Sequence, residues 1–120
     1  MEAQTAFLDV DSAQDTIVLP PHVLVEFASM LRGFVVRGGM PPREGKALLD
    51  ALLDTTFLVY SHDDSYRRGF ELATVLGQSD AFDATGYAIA ERLNAEFWVS
   101  DRRFANAAAS RTLPGVRFVP

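Results

Sequence analysis

An apolar run, EFWVS at 96–100, is followed directly by an acid, Asp101, and then by two arginines. In an open α/β sheet, ligands bind beyond the carboxyl ends of the strands, and Asp101 is the first polar residue past this run. A carboxylate at that position suits a metal or substrate site. The alternative is structural, because Asp is a favoured N-cap and the helical sequence RRFANAAAS begins at the next residue.

Two further acids border apolar helical faces and are candidates to join Asp101. Glu26 lies in the first two turns of a helix that follows the strand candidate at 16–20. Asp83 lies on the border of the apolar stripe in DAFDATGYAIAERL. Each has an ordinary explanation as well: Glu26 as a solvated border residue, and Asp83 as the partner of an N-cap Asp80 in an arrangement like a capping box. If they converge, such carboxylates suit Mg²⁺, which prefers oxygen ligands.

The composition of the 120-residue chain removes several other kinds of site. There is no cysteine, which excludes disulfides, thiolate catalysis and cysteine zinc sites. The two histidines are isolated from each other, which argues against a histidine metal site or a Ser-His triad. The pair Asp63-Asp64 follows a strand and suggests a phosphoacceptor receiver domain. That interpretation is set aside, because the only lysine, Lys46, lies in a helix rather than beyond a late strand.

The charge balance limits the partners. With 16 acidic and 11 basic residues the net charge is −5, so a nucleic-acid ligand needs a local basic patch or a bridging cation. Most of the bases are arginine, which favours bidentate contacts to phosphate and carboxylate, although GC-rich coding gives the same bias. No apolar run approaches the roughly 18 residues of a membrane helix, and the amino terminus lacks a signal-peptide pattern. We therefore expect a cytoplasmic protein with no membrane contact.

Short β-branched or aromatic runs alternate with helical patterns along the chain. The runs predict strands at 16–20, 55–61, 96–100 and 116–120. Helices are predicted from Pro21 to the glycine pair at 38–39, from Pro41-Pro42 through KALLDALLD, from Asp64 or Ser65 through FELATVLG, over DAFDATGYAIAERLN and over RRFANAAAS. This alternation predicts a single α/β domain over residues 1–120, with a mainly parallel sheet covered by helices on both faces.

The first residues do not fit the start of such a domain. The segment EAQTAFLDV is typical of the tail of a helix, so the chain enters a βα unit without the strand that should precede it. We therefore expect an N-terminally incomplete fold, most simply from a truncated reading frame. A missing central strand leaves neighbouring strand edges unpaired, which favours aggregation or strand exchange between chains.

Three segments resemble, in order and spacing, the PIN domain family, and in particular its small bacterial VapC-type ribonuclease toxins: VLPPHVLVEFASML, SDAFDATGYAIAERLNAEFWVSDRRFANA and LPGVRFVP. The likeness covers the chain from about Ala3 to Pro120. Its most specific part is D-A-x-x-x-A-x-A-E-R-L, then an apolar strand, D-R-R-F-x-N-A and a final P-x-V-R-F. The resemblance implies a three-layer α/β/α PIN-like fold with a mainly parallel sheet and a missing N-terminal strand.

For function, the resemblance implies a Mg²⁺- or Mn²⁺-dependent endoribonuclease, the toxin of a type II toxin–antitoxin pair. Its partners would be RNA, a cognate small antitoxin protein and a second copy of the chain in a homodimer. Glu26, Asp83 and Asp101 take the places of catalytic, metal-binding acids of the family. Arg102 and Arg103 are candidates for contact with RNA phosphate, although exposed arginines after a strand are commonly plain solvated charge.

Two features depart from the family pattern. The family begins with a strand that ends in a metal-binding aspartate, and nothing here corresponds to it, since Asp9 and Asp11 fall in the helix tail and its loop. The family also tends to place Thr or Ser two residues before the acid of its last motif. This chain has Val99 there, and the adjacent Ser100 is the candidate for a hydroxyl that supports the metal ligands. The alternative function is a catalytically impaired PIN fold that binds RNA or protein; a third is a gene remnant without function.

Overall fold

The computed structural model describes residues 16–120. Along this part of the chain the elements are β1 (Val18–Leu19), α1 (Pro21–Val36), α2 (Pro42–Asp54), β2 (Leu58–Val59), α3 (Asp63–Val75), α4 (Phe82–Leu93), β3 (Phe97–Val99), α5 (Arg102–Ser110) and β4 (Val116–Phe118). Their types and order are those predicted from the sequence. The predicted helix tail, with Asp9 and Asp11, lies outside the described residues.

The strands pair in parallel, in two sheets of two strands each. β1 pairs with β2, and β3 pairs with β4 with Phe97 opposite Val116 and Val99 opposite Phe118. The prediction of an α/β fold with parallel strands is therefore confirmed. Each strand is only two or three residues long, shorter than the predicted runs. None of the helices within residues 16–120 is long and apolar enough to cross a membrane.

The described residues belong to two compact units, one over 16–60 and one over 61–120. The first contains β1, α1, α2 and β2. Pro21 stands at the first position of α1, where a missing N–H leaves no helical hydrogen bond unmade. The turn after α1 passes through Gly38 at a φ of 77°, which glycine adopts without strain. The buried apolar side chains of this unit are Leu19, Leu31 and Leu52.

The second unit is built around a buried apolar cluster to which α3, α4, β3 and α5 all contribute. Its members are Leu72, Ala73, Ala84, Tyr87, Val99, Phe104 and Ala108. Phe97 packs edge to face against Tyr87 and Phe104, with ring centroids 6.2 and 5.7 Å apart. This is the favoured geometry for aromatic pairs, so the rings fix α4 and α5 against β3.

A close crossing of α3 and α4 depends on Gly69. A methyl group at this position would lie 2.7 Å from the Cα atom of Thr85 and 2.9 Å from its backbone nitrogen. Both residues are buried, and a packed interior has no room for such an approach. The absence of a side chain at position 69 therefore allows the close approach of the two helices.

Candidate functional site

Asp101 lies at the carboxyl end of β3 and caps α5. Its Oδ1 accepts hydrogen bonds from the backbone N–H groups of Arg103, at 2.8 Å, and Phe104, at 3.3 Å. Asp101 therefore has the structural role of an N-cap, which was the alternative to a role in a binding site. Both bonds use the same carboxylate oxygen, and the side chain is exposed. The cap does not require Oδ2, so capping and binding of a ligand are compatible roles for this carboxylate.

Asp83 lies in the first turn of α4 and is half-buried. The predicted arrangement with Asp80 differs by one residue. Asp80 does not occupy the N-cap; its Oδ1 accepts from the N–H of Phe82 at 3.2 Å, two residues on, as aspartates do in turns. Ala81 is the N-cap, which places Asp83 at the second helical position. There the dipole of α4 favours a negative charge.

Asp83 and Asp101 both lie within two residues of a member of the buried cluster of the second unit. Asp83 precedes Ala84 and Asp101 comes two residues after Val99, and both of these neighbours are cluster members. α4 packs against β3 and leads into it through residues 94–96 alone, so the helix runs back alongside the strand. Its first turn therefore lies toward the end where β3 finishes. Mg²⁺ is commonly bound through one or two carboxylates with water completing its shell, so this donor set suits it.

Glu26 lies in the other unit, on the second turn of α1. Its carboxylate is exposed, and Oε1 lies 3.4 Å from Nε2 of His22, one turn earlier. This position agrees with a solvated border residue. Within residues 16–120, no three His, Asp or Glu side chains form a group that could hold a metal ion. The assignment of Glu26 as a third ligand stays a prediction.

The two candidate RNA-binding arginines have different surroundings, although both are exposed. The guanidinium carbon of Arg102 lies 4.5 Å from the ring centroid of Phe118 on β4. Arg103 contributes its backbone N–H to the cap of α5, and its side chain is solvated. A contact between a guanidinium and an aromatic face is attractive, so Arg102 is held in place more firmly than Arg103.

A second cation–aromatic pair lies on the opposite face of the β3–β4 sheet. Arg117 stacks over Trp98, 4.2 Å from the ring centroid, and the indole Nε1 donates to Glu96 at 2.9 Å. Neither pair is predicted from the sequence. The available signal was the alternation in VRF of β4, which sends the two apolar side chains to one face and Arg117 to the other.

Ser100 lies between the buried Val99 and the capping Asp101. Successive residues of an extended chain point to opposite sides. Val99, two residues before the acid, is buried in the core, which accounts for an apolar side chain at this position. Ser100 is exposed, and its support of the metal ligands stays a prediction.

Polar contacts fix the orientation of α4. Arg68 on α3 donates to Glu91 on α4 through Nε, at 3.1 Å, and through a terminal nitrogen, at 3.4 Å. Because the Glu91 carboxylate accepts these hydrogen bonds, the pKa of Arg68 is raised. The Tyr87 hydroxyl donates to the carbonyl of Pro114 at 3.1 Å, and burial raises the pKa of Tyr87. These contacts tie α4, and with it Asp83, to the elements on either side.

No protein-family model, curated protein or solved structure matches this chain. Asp101 and the two arginines that follow it lie at the carboxyl end of a parallel strand pair, and Asp83 lies in the first turn of the helix that leads into β3.

Proposed function

We propose that this chain is a Mg²⁺- or Mn²⁺-dependent endoribonuclease of the PIN type, with a three-layer α/β/α fold. In this proposal it is the cytoplasmic toxin of a type II pair, forms a homodimer and binds a small antitoxin. The observation that carries the proposal is the position of Asp101 past the end of β3, with Asp83 in the first turn of the helix that leads into that strand. The resemblance of the sequence to PIN domains selects the same two acids.

The charge distribution also supports an RNA substrate. The chain has a net charge of −5, but the segment 94–120 carries four arginines and only two acids. This segment contains β3, α5 and β4, and therefore Asp101 itself. Arg102 and Arg103 follow Asp101 directly and are exposed, so they offer a local positive charge to a nucleic acid that is repelled by the chain as a whole.

Each residue has a defined role in the proposed reaction. Asp83 and Asp101 would hold the cation, with Glu26 as a further ligand and Ser100 supporting them. A divalent cation at such a site lowers the pKa of a bound water and neutralises charge that develops on a phosphodiester. Arg102 and Arg103 would contact phosphate and so position the strand, without reading its sequence.

The test is cleavage of single-stranded RNA by the purified protein with Mg²⁺ or Mn²⁺, and with a chelator as the blank. We expect cleavage that the chelator stops and that Asp83→Asn and Asp101→Asn abolish. Asn is as good an N-cap as Asp, so Asp101→Asn removes the charge and keeps the hydrogen bonds to α5. Asp80→Asn is the matched control, since Asp80 is an exposed acid that accepts from the Phe82 N–H and has no role in the proposed reaction. Retained cleavage in either site variant contradicts the assignment.

A second candidate function is a PIN-type module that binds RNA or protein and does not cleave. The cap that Asp101 provides for α5 favours it, because that role alone accounts for an acid at this position. This alternative predicts binding that is indifferent to chelation and to both site substitutions. Metal-dependent cleavage by the wild-type chain rules it out.

A further inference from the structure

A cavity of about 310 Å³ lies between α5 and β4, next to the candidate site. α5 lines it with Arg102, Ala105, Asn106 and Ala109, which share one helical face because they recur at three- and four-residue steps. The opposite wall is apolar and includes Phe118. Of these residues, Arg102 alone has a role in the proposed reaction.

The cavity is a consequence of side-chain size on α5. The neighbouring face of the helix is anchored in the core by Phe104 and Ala108, which are fully or almost fully buried. Ala105 and Ala109 follow these anchors directly, and a single methyl group does not fill the space between the helix and the strand. The helix is therefore fixed at a distance that leaves an opening beside it.

The two polar side chains of the lining give the opening its chemistry. The Arg102 guanidinium lies over the Phe118 ring, at 4.5 Å from its centroid, so it forms a flat cationic wall. Asn106, one turn further along α5, is exposed and carries an amide with both a donor and an acceptor. Together, the planar guanidinium, the amide and the apolar side chains of the lining suit a planar heteroaromatic ring.

We propose that this cavity binds one adenine base of an RNA strand, an inference that rests on the proposed ribonuclease function and adds a base preference to it. The volume lies at the small end of the roughly 300–1,000 Å³ of ligand pockets, which suits a single base. Unstacked RNA bases are bound on aromatic rings and guanidinium planes. An Asn amide pairs with the donor and acceptor that adenine presents on one edge. Arg102 follows Asp101 directly, so a strand with its base in the cavity passes the carboxylates.

The experiment measures binding of short fluorescein-labelled homopolymer RNAs of adenine, uracil or cytosine to the full chain, in a chelator that prevents cleavage. We expect the adenine RNA to bind more tightly than the others. Ala109→Leu fills the cavity and is expected to weaken its binding roughly tenfold or more, the effect of losing a stacked base. Asn106→Ala is expected to remove the preference for adenine. Ser110→Leu, one residue further along, is the control, because it adds the same side chain at an exposed position outside the lining.

The outcomes separate this inference from the ribonuclease function. Equal binding of the three RNAs, or unchanged adenine binding in Ala109→Leu, overturns the base site, and the cavity then serves another ligand such as a side chain of a protein partner. An equal loss in Ser110→Leu also overturns it, since the effect is then general to the helix. Cleavage by the wild type with Mg²⁺ is measured separately, so a base site without cleavage refutes the nuclease and leaves the site standing. Circular dichroism of each variant shows that the helix is intact.

Discussion

At the scale of single residues, Asp101 combines a structural role with a proposed catalytic one, and the two are separable by substitution. The cap of α5 depends on an acceptor oxygen, whereas metal binding depends on charge. We expect Asp101→Ala to lower the free energy of unfolding by about 1 kcal/mol. Asp101→Asn should lower it by no more than a few tenths, because Asn caps equally well. Urea unfolding of the three proteins measures this, and equal losses in both variants would show that the charge itself stabilises the fold.

Tyr87 gives the stability a dependence on alkaline pH. Its ordinary pKa is about 10, and burial raises this pKa in the folded protein, which therefore favours the neutral phenol. That contribution is complete below about pH 10 and is lost as the pH rises through the raised pKa. We expect the free energy of unfolding to fall as the pH rises above about 10, and to fall less in Tyr87→Phe. Other groups that titrate are common to both proteins, so parallel profiles contradict the prediction.

At the scale of elements, the crossing of α3 and α4 provides a test of packing with an internal control. Gly69→Ala places a methyl group against the backbone of Thr85, and we expect a loss of about 1–3 kcal/mol in unfolding free energy. Gly33→Ala is also a mid-helix change, but the nearest atoms to its new methyl belong to the end of the flexible Arg37 side chain, at 3.0 Å. It should be neutral or stabilise by up to about 1 kcal/mol, from the better helix propensity of Ala. Equal effects in the two variants would mean that the crossing is loose.

The elements show where sequence reasoning succeeds. Helix types and order follow from local signals, such as Pro21 at the start of α1 and Gly38 after its end. Strand lengths depend less on local sequence, because they also depend on the partner strand. The run at 55–61 predicts an extended segment, but pairing needs a partner, and β1 offers two residues before Pro20, which has no N–H to donate. The division of the four strands between two sheets likewise depends on tertiary packing, which local sequence patterns do not determine.

In the candidate site too, some features follow from local sequence patterns and others depend on tertiary packing. Helix periodicity predicts Asp83 as a site residue, and position after an apolar run predicts Asp101, because both are patterns within one segment; these assignments stay predictions. The cap register at Asp80 was wrong by one residue, since a turn and an N-cap offer the same side chain competing backbone partners. The cavity beside α5 was not predictable, because its size depends on the separation of a helix and a strand rather than on either sequence.

At the scale of the whole molecule, the uneven charge predicts that the proposed RNA binding depends on one segment of the chain. The segment 94–120 is basic within an acidic chain, so we expect an affinity that falls with salt. With four arginines available, and about 0.7 counterions released for each phosphate of a single strand, the slope of log affinity against log salt should be no steeper than roughly −3. Titration of a short single-stranded RNA in chelator at several salt concentrations measures the slope.

Two charge reversals distinguish this local surface from the net charge. Arg103→Glu and Arg43→Glu change the net charge equally, and both residues are exposed at the second position of a helix, α5 and α2 respectively. Glu is favoured near a helix N-terminus, so neither substitution should harm the fold. We expect Arg103→Glu to weaken RNA binding and to flatten the salt slope, because it removes a cation from the proposed binding surface. Arg43→Glu should change both quantities less, and an equal effect of the two reversals would place RNA binding outside the segment 94–120.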